Sequence, residues 1–423
     1  MIGLVTSRMT KQILLLLTLE FSGASWVQAS GHQEWSIDLT KYGYQEWRES
    51  SGMGDSSELR LAAANNLVAV GLGNPSNKTQ VDARSSSGKW EISLFLFDQN
   101  TGKLRSKCGP WSGDRFFELF STSRGNLILL VRNFHQTTGE TGETMYLLSP
   151  AGVELKKLVL APSFNRAGPD WNGILISSSG RTALVAQRLE DGVHYKTLEA
   201  DTVALQSEWT DEVASNPPSV VALSDTEVLG LRAFKAAKKE HSFDRATDLY
   251  IRGLASTWNR FPAELDLTLH GVWFGLSFNQ LAFLSDDSVV GVSPKHDDKQ
   301  ATVVVLHTDG STIFSPVIPK VEPNTSLSGP VAVTQDGHYF AVGFEHRPWL
   351  SHLMLDVWQM DMAFQWDELL FIVWGASWAT PVAKFNLGSE ADVRAFSLMT
   401  DDPLSLALLG KGTLKVVRPQ RLH

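Results

Sequence analysis

The chain has 423 residues, of which 43% are hydrophobic and 20% charged, so it is able to bury a sizeable core in the manner of a soluble protein. Its formal net charge of −9 at pH 7 argues against nucleic acid or an anionic lipid surface as partner, because both require a basic surface. Since Cys108 is the only cysteine, an internal disulfide and a cysteine-based zinc cluster are excluded.

The N-terminal residues have the order of a secretory signal peptide. Arg8 and Lys11 precede an apolar run at 13–17, and small and polar residues follow up to Ala29. We expect cleavage after Ala29, which removes residues 1–29. The run is too short to span a bilayer, and no later segment has the uninterrupted apolar length of a membrane helix. The sequence therefore predicts an extracytoplasmic protein, secreted or periplasmic, with no integral membrane segment after signal removal.

Seven copies of one pattern follow along the chain. Each copy consists of a short apolar strand, a short polar turn and a second apolar strand, which is typical of a β-hairpin. The turns lie at 65–66, 123–126, 178–180, 224–226, 285–287, 335–337 and 400–402. Their spacing of roughly 45–65 residues is within the range of repeats that form the blades of a β-propeller.

A second hairpin, more polar on one side, follows most of these copies. Its turns lie at 100–102, 151–152 and 308–310, and segments 195–205 and 249–261 fit the pattern more loosely. Two hairpins per repeat predict four antiparallel strands per blade, with the inner pair packed on both faces. The last repeat is about one strand short. We expect segment 34–39, directly after the signal, to supply that strand and close the ring.

Repeats such as 331–342, Val-Ala-Val-Thr-Gln-Asp-Gly-His-Tyr-Phe-Ala-Val, resemble those of the β-propeller superfamily in its WD40-like and quinoprotein-like forms. The resemblance covers nearly all of the chain after the signal. It does not reach a subfamily, because no Gly-His and Trp-Asp pairs recur at blade spacing. It implies an all-β fold of about seven four-stranded blades over residues 30–423. Propellers include scaffolds, lectins and enzymes, so the resemblance passes on no function.

The sixth repeat carries an insertion at about 345–368 that is rich in tryptophan and methionine. If the insertion packs against the propeller, its aromatic side chains belong to the core. If it is exposed, a patch of this kind binds a protein partner or stacks on sugar rings. The candidate partner-binding patch consists of Trp349, Trp358, Met362 and Trp366.

No motif for catalysis, cofactor binding or metal binding is recognisable. The chain has no Gly-x-Ser-x-Gly elbow and no glycine-rich phosphate loop followed by Lys-Ser or Lys-Thr. The run His296-Asp297-Asp298 has metal-binding residue types without ligand spacing, and a solvated turn explains it better. We therefore expect no cofactor and no metal, and the sequence identifies no catalytic residue.

Together these features favour a non-catalytic interaction or scaffold module outside the cytoplasm. We expect a monomer that binds a protein or carbohydrate partner and no nucleic acid. The alternative is a propeller-fold enzyme or lectin acting on a polysaccharide, and such an enzyme needs carboxylates that converge at the central channel. The sequence leaves open which residues line that channel.

Overall fold

In the computed structural model, the described part of the chain is almost entirely β-strand. It comprises residues 32–48, 54–64, 66–76, 89–114, 117–135, 140–160, 163–164, 173–212, 218–233, 247–263, 281–293, 302–318, 325–346, 368–387, 393–399 and 404–419. No helix within these ranges is long and apolar enough to cross a membrane.

The strands form seven antiparallel sheets of four strands each, which are the blades of a propeller. The chain begins with β1 (His32–Asp38), a 3-10 turn η1 (Leu39–Tyr42), and the small hairpin β2 (Glu46–Arg48) and β3 (Gly54–Ser56). Blade one follows with β4 (Glu58–Ala64), β5 (Leu67–Pro75), β6 (Trp90–Asp98) and β7 (Leu104–Gly113). Blade two has β8 (Phe117–Ser121), β9 (Leu127–His135), β10 (Glu140–Leu148) and β11 (Glu154–Val159), with the short β12 (Ser163–Phe164) also paired to β10.

The remaining blades repeat this order. Blade three has β13 (Gly173–Ile176), β14 (Thr182–Arg188), β15 (Gly192–Glu199) and β16 (Ala204–Glu212). Blade four has β17 (Ser219–Leu223), β18 (Glu227–Ala233), β19 (Thr247–Gly253) and β20 (Asn259–Arg260). Blade five has β21 (Leu281–Ser285), β22 (Ser288–Ser293), β23 (Thr302–His307) and β24 (Thr312–Phe314). Blade six has β25 (Thr325–Val333), β26 (Tyr339–His346), β27 (Glu368–Gly375) and β28 (Pro381–Asn386). Blade seven has β29 (Val393–Met399), β30 (Ser405–Gly410) and β31 (Thr413–Arg418), together with β1.

The core is divided into clusters that lie between neighbouring blades. Alternate residues of a central strand point to opposite sides, so Val68 and Val70 pack against blade seven while Leu67 and Ala69 pack against blade two. Equivalent clusters join blades two and three, three and four, four and five, five and six, and six and seven. Because a cluster occupies every one of these interfaces, the seven blades form a closed ring. This explains why the inner hairpins are apolar on both faces.

The N-terminal strand closes the ring as the sequence predicted. β1 pairs antiparallel with β31, opposing Trp35 to Val416 and Ile37 to Leu414, and the order in this sheet is β1-β31-β30-β29. The indole Nε1 of Trp35 also donates to the backbone oxygen of Gln99 in blade one at 2.7 Å. Blade seven therefore combines the two ends of the described chain, and Trp35 links it to its neighbour.

The two ends of the ring differ in their connections. One end carries the turns between first and second strands and between third and fourth strands of each blade, and we call it the turn face. At the opposite end lie the strand ends that flank each undescribed stretch of more than four residues within the chain. We call this end the loop face. One such connection leaves β26 at His346 and returns at Glu368, which are paired in the sheet.

Candidate functional site

A pocket opens at the centre of the turn face. Its volume is about 460 Å³, within the size range of ligand-binding pockets. Among the described residues it is lined by the turns between first and second strands of blades two to six, and Leu284 is the one large apolar residue of that lining. The polar side chains that line it are Ser123, Ser178, Ser179, Arg181, Asp225, Ser285, Asp286, Gln335 and Asp336.

Three of the lining turns share one local sequence, a serine or threonine followed three residues later by glycine. The backbone N–H of Gly125, Gly180 and Gly337 donates to the carbonyl oxygen three residues earlier at 2.9, 2.8 and 2.8 Å. Their φ angles are +79°, +74° and +70°, which glycine adopts without the steric cost that other residues carry. The pocket therefore starts from turns whose backbone is closely defined by their sequence.

Hydrogen bonds tie these turns to one another across the blade boundaries. Asp225 of blade four accepts from the hydroxyl groups of Ser177 and Ser179 of blade three at 2.7 and 2.8 Å. The backbone N–H of Asp225 in turn donates to Oδ1 of Asp286 in blade five at 2.9 Å. On the other side, the backbone N–H of Ser123 in blade two donates to the carbonyl oxygen of Gly180 at 2.8 Å. The wall of the pocket is thus a continuous network over four blades.

A buried carboxylate behind the wall supports the turn of blade two. Asp201 lies in the outer turn of blade three, and its side chain is 4% exposed. It accepts from the hydroxyl of Ser123 at 2.7 Å, from Nδ2 of Asn126 at 3.0 Å and from the hydroxyl of Thr122. Because all three donors belong to one turn, Asp201 fixes the position of Ser123 at the pocket.

Gln335 reaches across the mouth of the pocket from blade six to blade three. A Cβ atom placed on Gly180 would lie 2.1 Å from Nε2 of Gln335 and 2.7 Å from the backbone nitrogen of Ser123. The amide of Gln335 therefore lies directly against the backbone of Gly180. Glycine at this position serves both the turn and the close approach of the opposite blade.

Two aspartates that line the pocket are each held through only one of their two carboxylate oxygens. Oδ1 of Asp286 accepts from the backbone N–H of Asp225 at 2.9 Å. Oδ1 of Asp336 accepts from the hydroxyl of Thr334 at 2.7 Å and from the backbone N–H of His338 at 2.9 Å. The structure shows no donor among the described residues for Oδ2 of either aspartate. Both groups are therefore fixed in place while keeping an acceptor available to a ligand.

Glu227, at the start of β18, lies near these charges. Burial raises the pKa of Glu227 above its usual value. A hydrogen bond with Thr308 opposes this rise in pKa, and the negative charges of Asp286 and Asp287 add to it. Its Oε2 is buried and has no hydrogen-bond partner among the described residues. Glu227 is not among the described residues that line the pocket.

A second group of charges lies within blade two and does not line the pocket. Arg132 donates to Oε1 of Glu143 at 2.9 Å and to Oε1 of Glu118 at 3.1 Å. Burial raises the pKa of Glu143, although the charge of Arg132 opposes the shift. Because Glu143 is only 1% exposed, it cannot touch a substrate. We assign this ion pair to the cohesion of β8, β9 and β10.

The sequence proposes a different set of site residues, and that proposal stays a prediction. Trp349, Trp358, Met362 and Trp366 lie outside the described residues, as do 296–298. Two other tryptophans of the same stretch have different environments. Trp374 is fully buried and stacks on Phe340, whereas Trp378 is 53% exposed on the turn face. The seven inner turns are the sequence feature that indicates the pocket, because equivalent positions of a closed repeat must meet around its axis.

In the described part of the chain, no three histidine, cysteine, aspartate or glutamate side chains are placed to hold a metal ion. The pocket offers hydroxyl, amide and carboxylate oxygens together with the guanidinium of Arg181, whose Nη1 lies 4.0 Å from Oδ2 of Asp225. Such a set of groups suits a polar ligand that carries a positive charge.

No protein-family model and no curated protein matches the chain. Solved structures match with low identity. TolB from Acinetobacter baumannii is 8% identical, with a TM-score of 0.35 over 78% of this chain and 60% of its own. An acylaminoacyl peptidase from Pyrococcus horikoshii is 9% identical, with a TM-score of 0.47 over 85% of this chain and 52% of its own.

A third structure, oligogalacturonate lyase in complex with manganese, is 12% identical, with a TM-score of 0.38 over 70% of this chain and 78% of its own. This chain thus spans 60% of the length of TolB and about half of the peptidase. At these identities and TM-scores, the matches carry no information about the activity of this chain.

Proposed function

We propose that this protein is an extracytoplasmic, non-catalytic interaction module whose turn-face pocket binds a positively charged side chain of a partner protein. The observation that carries the proposal is the pair Asp286 and Asp336. Each is fixed by one oxygen and has no described donor at the other. Hydrogen bonds to a charged group contribute about 1.5–3 kcal/mol, which is enough to give a pre-formed site useful affinity.

The arrangement favours binding over catalysis because its polar groups are bound to one another. Asp225 accepts from two hydroxyl groups and lies beside Arg181, so it is a structural acceptor. The charge-bearing turns are tied into the ring, which keeps the site from rearranging when a ligand enters. Pre-organisation of this kind lowers the cost of association. Export by the N-terminal signal would place the pocket outside the cytoplasm, where the partner must also lie.

The proposal is tested by ligand titration of the chain that begins at residue 30. The probes are the blocked peptides acetyl-Gly-Lys-Gly-amide and acetyl-Gly-Glu-Gly-amide, followed by ligand-observed NMR or calorimetry. We expect the lysine peptide to bind more tightly. We expect Asp286→Asn and Asp336→Asn each to weaken its binding by about tenfold, because the charge is removed while the shape is kept.

Asp309→Asn is the matched control for these variants. Asp309 lies in the outer turn of blade five, where it accepts from the backbone N–H of Ser311 at 2.8 Å and from its hydroxyl at 2.6 Å, and it does not line the pocket. Asp309→Asn should leave binding unchanged. Equal affinity for the two peptides, or equal effects of all three substitutions, would contradict the proposal.

A second candidate function is favoured by one observation, the three carboxylates of Asp225, Asp286 and Asp336 that meet at the pocket. On this alternative the pocket acts on a polysaccharide, with Asp286 and Asp336 as the acid and the base. The discriminating assay incubates the protein with neutral and uronic-acid polysaccharides and measures new reducing ends. We expect none. Release of reducing ends that disappears in Asp286→Asn and Asp336→Asn would establish the alternative and exclude our proposal.

We also keep the patch Trp349, Trp358, Met362 and Trp366 as a proposed second contact. Its support is topological, because the chain leaves β26 at His346 and returns at Glu368 on the loop face. If the patch is exposed for binding, Trp358→Ala and Trp366→Ala should change the free energy of unfolding by less than about 0.5 kcal/mol. The fully buried Trp374 is the control, and Trp374→Ala should cost about 3–5 kcal/mol. Losses of that size at Trp358 and Trp366 would place them in the core.

A further inference from the structure

Two large apolar side chains are exposed at or beside the outer turn of blade six. Trp378 is 53% exposed in the outer turn, and Val317, which follows β24 of blade five, is 55% exposed. The backbone N–H of Val317 donates to the carbonyl oxygen of Ala379 at 2.7 Å, so the two residues stand on neighbouring segments. We call Trp378 and Val317 the shelf. Exposed aromatic residues with apolar neighbours are typical of surfaces that bind protein segments.

The shelf and the pocket stand beside neighbouring turns of blade six. Asp336 lines the pocket, and His338 follows it in the same turn. The carbonyl oxygen of His338 accepts from the backbone N–H of Ala376 at 2.8 Å, and Ala376 belongs to the turn that carries Trp378. A partner chain that leaves the pocket toward the rim over blade six therefore meets the shelf next.

The indole of Trp378 is held in position by its own turn. Its backbone N–H donates to the carbonyl oxygen of Gly375 at 3.0 Å. A Cβ atom placed on Gly375 would lie 3.0 Å from Cε3 and 3.1 Å from Cδ2 of the indole, so the ring rests on the backbone of Gly375. An aromatic side chain that is both exposed and pre-positioned loses little conformational entropy when a ligand packs against it.

The distance between the pocket and the shelf follows from the strand pairing in blade six. Val333 of β25 is paired with Phe340 of β26, and Tyr339 of β26 is paired with Gly375 of β27. The turns at 334–338 and 375–378 are thus two strand spacings apart, or roughly 10 Å. An extended chain advances about 3.3 Å per residue, so about three residues bridge this distance.

We infer that the partner segment carries a lysine or arginine for the pocket and an apolar or aromatic side chain for the shelf, about three positions apart. This inference rests on the proposed function, since it assumes that the pocket receives the cation. It adds a specificity rule, because a cation alone would satisfy only the acidic half of the surface. The acidic pocket and apolar shelf together define a segment that is basic at one end and apolar at the other.

The test compares blocked tetrapeptides on the chain that begins at residue 30. Lys-Gly-Gly-Phe and Phe-Gly-Gly-Lys are each compared with the same peptide containing alanine in place of phenylalanine. In at least one orientation, phenylalanine should tighten binding roughly three- to tenfold. The gain should be lost when lysine and phenylalanine are adjacent, because that spacing cannot reach both features. Trp378→Ala should also remove the gain while preserving the preference for lysine.

Leu205→Ala is the matched control, because Leu205 is 57% exposed on β16 of blade three, far along the ring. It should leave the phenylalanine gain intact. If the gain is absent, or persists in Trp378→Ala, the shelf is excluded while the pocket stands on its lysine preference. If Asp286→Asn and Asp336→Asn leave the lysine preference unchanged, the proposed function itself is overturned.

Discussion

Single carboxylates link the turns of the turn face from blade two to blade five. Asp201 and Asp225 each accept from several donors of one neighbouring turn, whereas Asp286 accepts from one, the backbone N–H of Asp225. A hydrogen-bonded carboxylate that loses its oxygens leaves all of its donors unsatisfied at once. The effect of each substitution should therefore scale with the number of donors and with burial.

Asp201→Ala is the sharpest case at this scale. It removes the acceptor of Thr122, Ser123 and Asn126 from a site whose side chain is 4% exposed. We expect the free energy of unfolding, measured by urea titration, to fall by about 2 kcal/mol or more. Asp191→Ala, at an aspartate whose side chain is 69% exposed, should change it by less than about 0.5 kcal/mol. Equal losses would show that Asp201 does not hold the turn.

Asp98 leads to a prediction about the pH dependence of stability. Its hydrogen bond from Arg105 is the main cause that lowers its pKa from 3.8 to about 2, with a further hydrogen bond from Thr101. A depressed pKa in the folded state contributes stability above the unfolded value, and this stability is lost as the pH falls from about 4 to 2. Arg105→Ala should raise the pKa of Asp98 toward 3.8, as followed by NMR titration of its carboxyl carbon. An unchanged pKa would exclude Arg105 as the cause.

At the scale of elements, β1 decides whether the ring is sealed. It is remote in sequence from β31 and pairs with it along six positions. Trp35 adds a hydrogen bond to Gln99 and lies over Gly102, where a Cβ atom would come within 2.8 Å of its ring. One strand therefore joins blade seven to blade one, through both its backbone and this side chain.

Trp35→Ala should open this junction. We expect it to lower the free energy of unfolding by about 2 kcal/mol, since a half-buried indole and its hydrogen bond are lost. Trp378→Ala is the control, because that indole is 53% exposed and makes no blade junction. Thermal and denaturant unfolding of both variants would decide the matter. If Trp35→Ala is as mild as Trp378→Ala, the seal is carried by backbone pairing alone.

At the scale of the whole molecule, the two ends of the ring differ in their connections. The turn face is built from short turns that hydrogen-bond to one another and surround the polar pocket. The loop face receives the longer connections, among them the one between His346 and Glu368. An apolar cluster occupies each blade interface, so the blades between the two faces are closely packed against one another.

Export is a prediction for the whole chain. If residues 1–29 are a signal, protein purified from outside the cytoplasm of the native host should begin at Ser30. N-terminal sequencing or intact mass measures this directly. Replacing the apolar run at 13–17 by polar residues should retain the full-length chain in the cytoplasm. An extracytoplasmic protein that still begins at Met1 would contradict the predicted cleavage.

Much of the architecture could be predicted because it depends on local sequence patterns. The seven inner hairpins were recognisable from apolar runs and turn residues, and the structure confirms the six whose turns are described wholly or in part. The closing strand followed from counting strands, since an edge without a partner is costly. The resemblance to the WD40-like and quinoprotein-like forms stays a prediction.

The pocket was less accessible to prediction. Ser178, Asp225, Asp286 and Gln335 are ordinary turn residues, and nothing local separates them from Asp309, which caps a turn at the rim. The tryptophans of repeat six are more unusual in the sequence, and they predict a binding patch of their own. Trp374, for example, stands in the core, where an aromatic run has a purely structural role.

The sequence by itself determined the strand periodicity, the seven repeats and the strand that closes them, because alternation and turn chemistry act between near neighbours. The tertiary structure alone decided which turn residues meet around the axis and which oxygens of Asp286 and Asp336 remain available. It also decided that Trp378 is exposed beside the pocket while Trp374 is buried. These properties depend on contacts between blades that lie far apart in the chain, and such contacts leave no local pattern.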